Sequence, residues 1–245
     1  MSKRSSHLGS VVIMIALVAV FSVALMIFGT RFDWWQPIDG FLMVRSYLNL
    51  LGYGVLGLGF IAMLHQLIRA NKRGLVKAAI ASSIGLGLLA PMLYSFVQPV
   101  QRFPPIHDIT TDTNNVPMFL VLNDQRAGAK NTLTYEGVNV AKQQLAAFAD
   151  ITSIHSQKDA EQAFEHALAI VKEKGWQIIA QDLDKLHIEA SARTSVYHFV
   201  DDVVIVVTPL ANGSKVDMRS VSRIGRGDRG VNAARIRDFI NTFNS

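Results

Sequence analysis

Hydrophobic positions follow two regimes along the chain. Up to Gln98 they form long unbroken runs; beyond it they alternate or recur at helical spacing. No Lys, Arg, Asp or Glu stands between Arg4 and Arg31, between Arg45 and Arg69, or between Lys77 and Arg102. Crossing ~30 Å of hydrocarbon takes about 20 residues at ~1.5 Å rise each, so every run is long enough. The pattern predicts transmembrane helices over about 10–30, 47–68 and 76–98. Three buried helices of a soluble protein would need other elements on every side, and the chain offers too few. The first run exceeds the ~7–15 residues of a signal-peptide core, and Met26-Ile27-Phe28-Gly29 lacks a small-x-small cleavage site, so it reads as a retained anchor.

From residue 99 onward the pattern changes. Gln98-Pro99 and Phe103-Pro104-Pro105 mark an extended exit, and Ile106–Tyr135, rich in Thr, Asn, Asp and Pro, predicts an irregular arm. A short helix is expected over Val138–Phe148 and a short strand over Asp150–His155. Ala163, Phe164, Ala167, Leu168 and Val171 recur at helical spacing, which predicts a helix over Ala160–Lys174, capped by Ser156 or Asp159 and closed by Gly175. Strands follow over Trp176–Gln181, Lys185–Thr194, Val203–Pro209 and Lys215–Ile224, with Asn212-Gly213 as the turn of the last hairpin. A final helix covers about Val231–Phe243. The fold class is therefore a helical membrane region, 1–98, plus an α+β domain, 99–245. Its antiparallel sheet carries helices on one face, in the order β-α-β-β-β-β-α.

Charge divides at the same place. Residues 1–98 carry 8 Lys/Arg against 2 Asp/Glu, net 8 − 2 = +6; residues 99–245 carry 16 against 17, net 16 − 17 = −1. The basic balance belongs to the apolar half, where it encodes orientation and not nucleic-acid binding. Lys3 and Arg4, and the cluster Arg69, Lys72, Arg73 and Lys77, predict a cytoplasmic N-terminus and second loop. Arg31 and Arg45 are offset by Asp33 and Asp39. The C-terminal domain is then periplasmic or extracellular, and the membrane is the cell membrane (the inner one in a Gram-negative cell). Trp34, Trp35, Tyr94 and Phe96 fall at the outer interface. Gly52, Gly54, Gly57 and Gly59, with Ala81/Gly85 and Ser83/Gly87, predict close packing of spans two and three. Pro91 should kink span three, and His65 reads as an interfacial histidine. The chain has no cysteine, which excludes disulfides and thiolate chemistry.

Several segments carry candidate chemistry. Gly225-Arg-Gly227-Asp-Arg-Gly230 is a literal G-x-G-x-x-G, but neither a following parallel strand nor an acidic residue ~20 positions on fits before Ser245. Asp228 reads instead as the N-cap of the last helix. Arg219, Arg223, Arg226 and Arg229 surround that helix start, where free N–H groups also favour anions. They form either an anion site or internal pairs with Asp201, Asp202 and Asp217. The expected division is structural pairing for Arg219 and Arg223, with Arg226 and Arg229 left for a partner. Alternation places His187, Glu189, Ser191 and Arg193 on one sheet face, and Asp217, Arg219 and Arg223 on one face of the last strand. If the two coincide, the uncovered side of the sheet carries a charged array. His107, Asp108 and Asp112 are three hard ligands without a fourth, so no metal is expected, and nothing calls for another cofactor.

Five segments carry a family resemblance. They are Ile106-His-Asp-Ile-Thr-Thr-Asp112, Gly175-Trp176, Phe199-Val-Asp201-Asp202-Val, Arg219-Ser-Val-Ser-Arg223-Ile-Gly225, and Asp228-x-Gly230-Val-Asn232-x-x-Arg235-Ile236. Over roughly residues 103–243 the chain closely resembles the domain of unknown function 1499 family, departing from it at Val206, where an arginine is expected. The resemblance implies a cell-envelope setting and no established activity. The expected function is therefore a non-enzymatic envelope protein whose partners are the lipid bilayer and an anionic ligand or envelope protein. The alternatives are a hydrolase or transferase using the His/Asp/Arg array, and a subunit of a membrane complex.

Overall fold

The computed structural model describes residues 7–98 and 102–245; Lys3, Arg4 and Pro99 lie outside them. The chain forms two compact units, a helical one and an α+β one that starts at Arg102.

The helical unit holds α1 (His7–Phe28), α2 (Pro37–Ile68) and α3 (Lys72–Val97), each long and apolar enough to cross a membrane. Their outward faces are apolar too: Met14, Phe21, Leu50 and Ile61 are all exposed. In a lone soluble bundle such surface would be an aggregation liability; against lipid it costs nothing. Helix α2 begins at Pro37, well before the predicted 47. Pro37 occupies the first helical turn, where its missing N–H is no loss, and the Asp39 carboxylate accepts from Gln36 N at 3.3 Å. The loop expected between the first two spans shrinks accordingly to a tight turn.

The small residues divide by face. A Cβ at Gly52 would lie 2.7 Å from Leu89, at Gly59 2.5 Å from Ser82, and at Gly85 2.5 Å from Leu56 N, so these glycines line the α2–α3 seam. Gly54, Gly57 and Gly87 face open space. Pro91 lies inside α3. The up-down-up course puts Trp34 and Trp35 at the same end as Tyr94 and Phe96. At the other end Lys77 Nζ donates to Ser10 Oγ at 2.8 Å, and His65 borders an open cleft with His7, Gln66 and Arg69.

The α+β unit is a six-stranded antiparallel sheet of β1 (Asp108–Thr110), β2 (Ile154–Ser156), β3 (Gln177–Asp182), β4 (His187–Arg193), β5 (Val200–Leu210) and β6 (Gly213–Ser222). The order is β1-β6-β5-β4-β3, with β2 also on the outer edge of β6. Helices α4 (Val138–Ala147), α5 (Ala160–Glu173) and α6 (Val231–Phe243) complete it. Phe164, Ala167 and Val171 of α5 and Ile236 and Phe239 of α6 pack on Ile188, Val203, Ile205 and Met218 of the sheet. Each large apolar side chain so buried contributes roughly 1.5–3 kcal/mol.

The predicted run β-α-β-β-β-β-α is β2 through α6, preceded by β1 and α4. Strand β1 lies inside the segment expected to be irregular: three residues are too few to show alternation, and its register is set by β6 (Asp108 opposite Val221, Thr110 opposite Arg219). The last hairpin turns one residue early, on Ala211-Asn212, and Gly213 opens β6 with φ of 109°. A Cβ there would sit 2.0 Å from the Ser156 carbonyl oxygen, so glycine is required on both counts.

Candidate functional site

Residues opposite one another in an antiparallel pair point to the same face. Ser191 lies opposite Asp202, Glu189 opposite Val204, and Val204 opposite Arg219. The charged positions of β4, β5 and β6 therefore do share the face turned away from α5 and α6. That face is not open. The arm, residues 111–136, lies across it, and Glu189, Asp202 and Arg219 are each fully buried.

Each buried charge holds a piece of the arm. The Glu189 carboxylate accepts from the backbone N–H groups of Leu120 (2.5 Å), Val121 (2.9 Å) and Leu122 (2.7 Å), and meets His187 Nε2 at 2.9 Å. Burial alone would raise its pKa; the His187 contact and the three N–H groups outweigh burial and hold it at about 2. Arg219 makes a bidentate pair with Asp108 (2.9 and 2.7 Å) and donates to the carbonyls of Pro117 (3.2 Å) and Leu133 (2.7 Å). The rings of Phe119 and Tyr135 flank its guanidinium, each 5.5 Å away. Burial, and the nearby Asp108 charge, push the Tyr135 hydroxyl up to about 12. Asp202 takes two arginines, Arg223 and, from the arm, Arg126, along with Ser191 Oγ at 2.8 Å.

At the edge, Lys215 bridges Asp112 (3.0 Å) and Asp217 (2.9 Å). Against the rise from burial, Asn115 and Asn114 N–H groups and Lys215 hold Asp112 at about 2. An open cleft of about 290 Å³ lies there, bordered by Asn115, Met118, Val206, Lys215 and Asp217. Val206, the departure from the expected arginine, is thus an apolar wall beside a cluster of one lysine and two aspartates. Asp108 and Asp112 point to cations, and no group of three or more His, Asp or Glu among the described residues is placed to hold a metal.

The match to known proteins covers this unit. Residues 108–243, more than half of the chain, fit the family described as "Protein of unknown function (DUF1499)". The chain belongs to the DUF1499 family. No curated protein matches it.

The rest of the DUF1499 arginine block lies on the opposite face and the adjoining end of the sheet. Asn232, fully buried at the start of α6, accepts from Ser220 Oγ (2.7 Å) and Arg235 Nη1 (2.5 Å) and donates to the His107 carbonyl and Ser222 Oγ (2.9 Å each). Arg235 closes the network on Asp201 at 2.6 Å. Asp228 accepts from Gly230 N (2.9 Å) and Asn232 N (2.6 Å), so its carboxylate takes the N–H groups that an external anion would use. Burial raises its pKa, in spite of those bonds and with the Asp201 charge adding to the rise. Gly230, with φ of 81°, is the N-cap of α6, so Asp228 stands two residues before the cap position expected of it and reaches the first turn from there. Arg226 and Arg229 remain on the surface.

The sequence-chosen residues thus fall into three places. Arg219, Arg223 and Asp202 lie beneath the arm; Asp201, Asp228, Gly230 and Asn232 anchor α6; Arg226 and Arg229 are exposed. Arg126 and the Asp108–Arg219 pair escaped sequence reasoning, because no periodicity marks where an irregular segment docks. Asp202→Ala should cost more stability than Arg223→Ala: the first strands two arginines, whereas the second leaves Arg126 on the carboxylate. Removing the shared partner of a buried pair costs about 3–5 kcal/mol, and parallel urea titrations of the two variants check the order.

Proposed function

We propose that the chain is an integral membrane protein of the cell envelope, with its N-terminus in the cytoplasm and its DUF1499 domain outside. We propose further that this domain binds an anionic ligand or an acidic protein surface through Arg226 and Arg229. The observation that carries the reading is the division of labour among the arginines. Arg219 and Arg223 are absorbed by Asp108 and Asp202, while Arg226 has no carboxylate partner among the described residues and is exposed, as is Arg229 on the same loop. Binding has more support than hydrolysis or group transfer, since His187, Glu189 and Arg219 lie under the arm with their polar atoms engaged.

The test is retention of the intact chain, in mild detergent, on a polyanionic matrix at low salt. Arg226→Gln/Arg229→Gln should elute at distinctly lower salt than the wild type; identical elution would reject the reading. Topology is checked separately. The cluster Arg69, Lys72, Arg73 and Lys77 should keep the α2–α3 turn in the cytoplasm. An alkaline phosphatase fusion after Ser245 is expected to be active and one at Gly74 inactive, and the reverse pattern would invert the orientation.

A further inference from the structure

Five exposed cations of the α+β unit gather at one end of the sheet, while Lys142, Lys158, Lys172 and Lys185 are exposed elsewhere. Arg193 ends β4 opposite Val200, Asp201 of β5 lies opposite Ser222 of β6, and Asp108 of β1 lies opposite Val221, so these positions define that end. Arg226 and Arg229 belong to the loop that leaves β6 there. Lys130 joins them, its backbone N–H donating to the Arg223 carbonyl at 2.7 Å. Arg102 joins through the entering chain, on which the loop is mounted. Asp228 N donates to the Ile106 carbonyl at 3.1 Å, a Cβ at Gly227 would stand 3.1 Å from Pro105, and one at Gly230 would stand 2.6 Å from the Phe103 ring.

Arg102, Lys130, Arg193, Arg226 and Arg229 are all exposed. Among the described residues Arg102, Lys130, Arg193 and Arg226 have no carboxylate partner. At the opposite end the exposed carboxylates of Asp184, in the β3–β4 turn, and of Asp159 and Glu161, at the start of α5, outnumber the exposed Lys158 and Lys185. Ser214 Oγ, bonded to the Lys158 carbonyl at 2.9 Å, fixes the start of α5 there. A unit with net charge near zero is thus polarised along its strands.

The cationic end is also where the chain arrives from α3. From Val97, the last residue of α3, to Arg102 is 102 − 97 = 5 steps, a reach of at most roughly 18 Å at ~3.3–3.6 Å per residue. Covalent continuity therefore keeps Arg102 within that reach of the end of α3, about two Debye lengths at physiological salt. Pro105, exposed, and Phe103 and Pro104, half-buried, add apolar surface beside the charges.

We propose that this end binds anionic phospholipid headgroups of the membrane that holds the helices. The proposal rests on the binding reading above and names its ligand. Phosphate esters at a surface meet dispersed arginines without a pocket, and none is needed here. Each basic residue near such a surface shifts the equilibrium roughly fivefold.

The chain has no cysteine, so one nitroxide can be placed on Val231→Cys in the exposed first turn of α6, and in a second sample on Asp184→Cys at the far end. The full chain is reconstituted in phosphatidylcholine vesicles, with or without a quarter phosphatidylglycerol, each carrying a gadolinium-chelate lipid. Relaxation enhancement at Val231→Cys should at least double when phosphatidylglycerol is present. It should fall back with Arg102→Gln/Arg226→Gln or in half-molar salt, and Asp184→Cys should not respond. Inorganic phosphate should do no more than chloride of equal ionic strength.

Enhancement independent of phosphatidylglycerol, or equal at both labels, would overturn the proposal. So would displacement by phosphate beyond its ionic strength, which would mark a discrete phosphate site. If polyanion retention still depends on Arg226 and Arg229, the binding reading survives that failure; if retention is lost as well, both fall.

Discussion

Arg219→Met should lower the melting temperature of the α+β unit by on the order of 10 °C, the largest effect expected of any single change to the arginine block. The side chain is wholly buried, and its partner Asp108 is nearly so. Methionine fills much of the volume but leaves a carboxylate without its cation and the Pro117 and Leu133 carbonyls without their donor. Breaking a buried pair from one side costs about 3–5 kcal/mol, and a unit of this size loses roughly 3 °C per kcal/mol. The double variant Arg219→Met/Asp108→Leu should recover part of the loss, because removing both charges also removes the stranded one. Thermal melts of the full chain in detergent decide it: a single variant within ~2 °C of wild type would mean that the pair does not hold the arm.

What the sequence made legible follows from range. Helices and strands announce themselves through local periodicity, so α5, α6 and the run β3 to β6 could be placed from Phe164, Ala167 and Val171 or from the alternation around His187 and Glu189. The apolar runs were legible for the same reason, although the start of α2 was not: hydropathy sees where charge ends, whereas Pro37 and Asp39 start the helix by backbone geometry. The arm was invisible as a structural layer. Its backbone has no repeating partner of its own; it is held by side chains that come from β4, β5 and β6, 67–69 residues away at Glu189 and 102 at the Arg219–Pro117 contact. Alternation put the charged residues on one face, yet it could not say that Thr111 to Glu136 returns to cover them.

That dependence of the arm on distant charge gives the second large effect. Glu189→Gln should loosen the crossing at Leu120–Leu122 and remove a pH-dependent part of the stability. In the folded chain the carboxylate sits at about 2, against an ordinary value of 4.5. Between those values the unfolded chain binds more protons than the folded one, so stability rises with pH. The contribution is complete above about pH 4.5 and disappears as pH falls through about 2. A depression of this size corresponds to on the order of 3 kcal/mol. Glutamine keeps the shape, but it offers one neutral acceptor to three convergent N–H groups and turns its own N–H₂ toward donors. Amide exchange at Leu120, Val121 and Leu122 should therefore accelerate by roughly a hundredfold at neutral pH, the equivalent of that energy. Exchange elsewhere in the arm, where Arg126–Asp202 and Arg219–Asp108 persist, should change little. The variant's stability should also vary less between pH 5 and 3 than that of the wild type. Unchanged exchange at the three amides would show that the carboxylate does not hold the arm. Acceleration spread over the whole arm would show that Glu189 is the keystone on which the two arginine pairs depend, and the charged face of the sheet would then open as one unit.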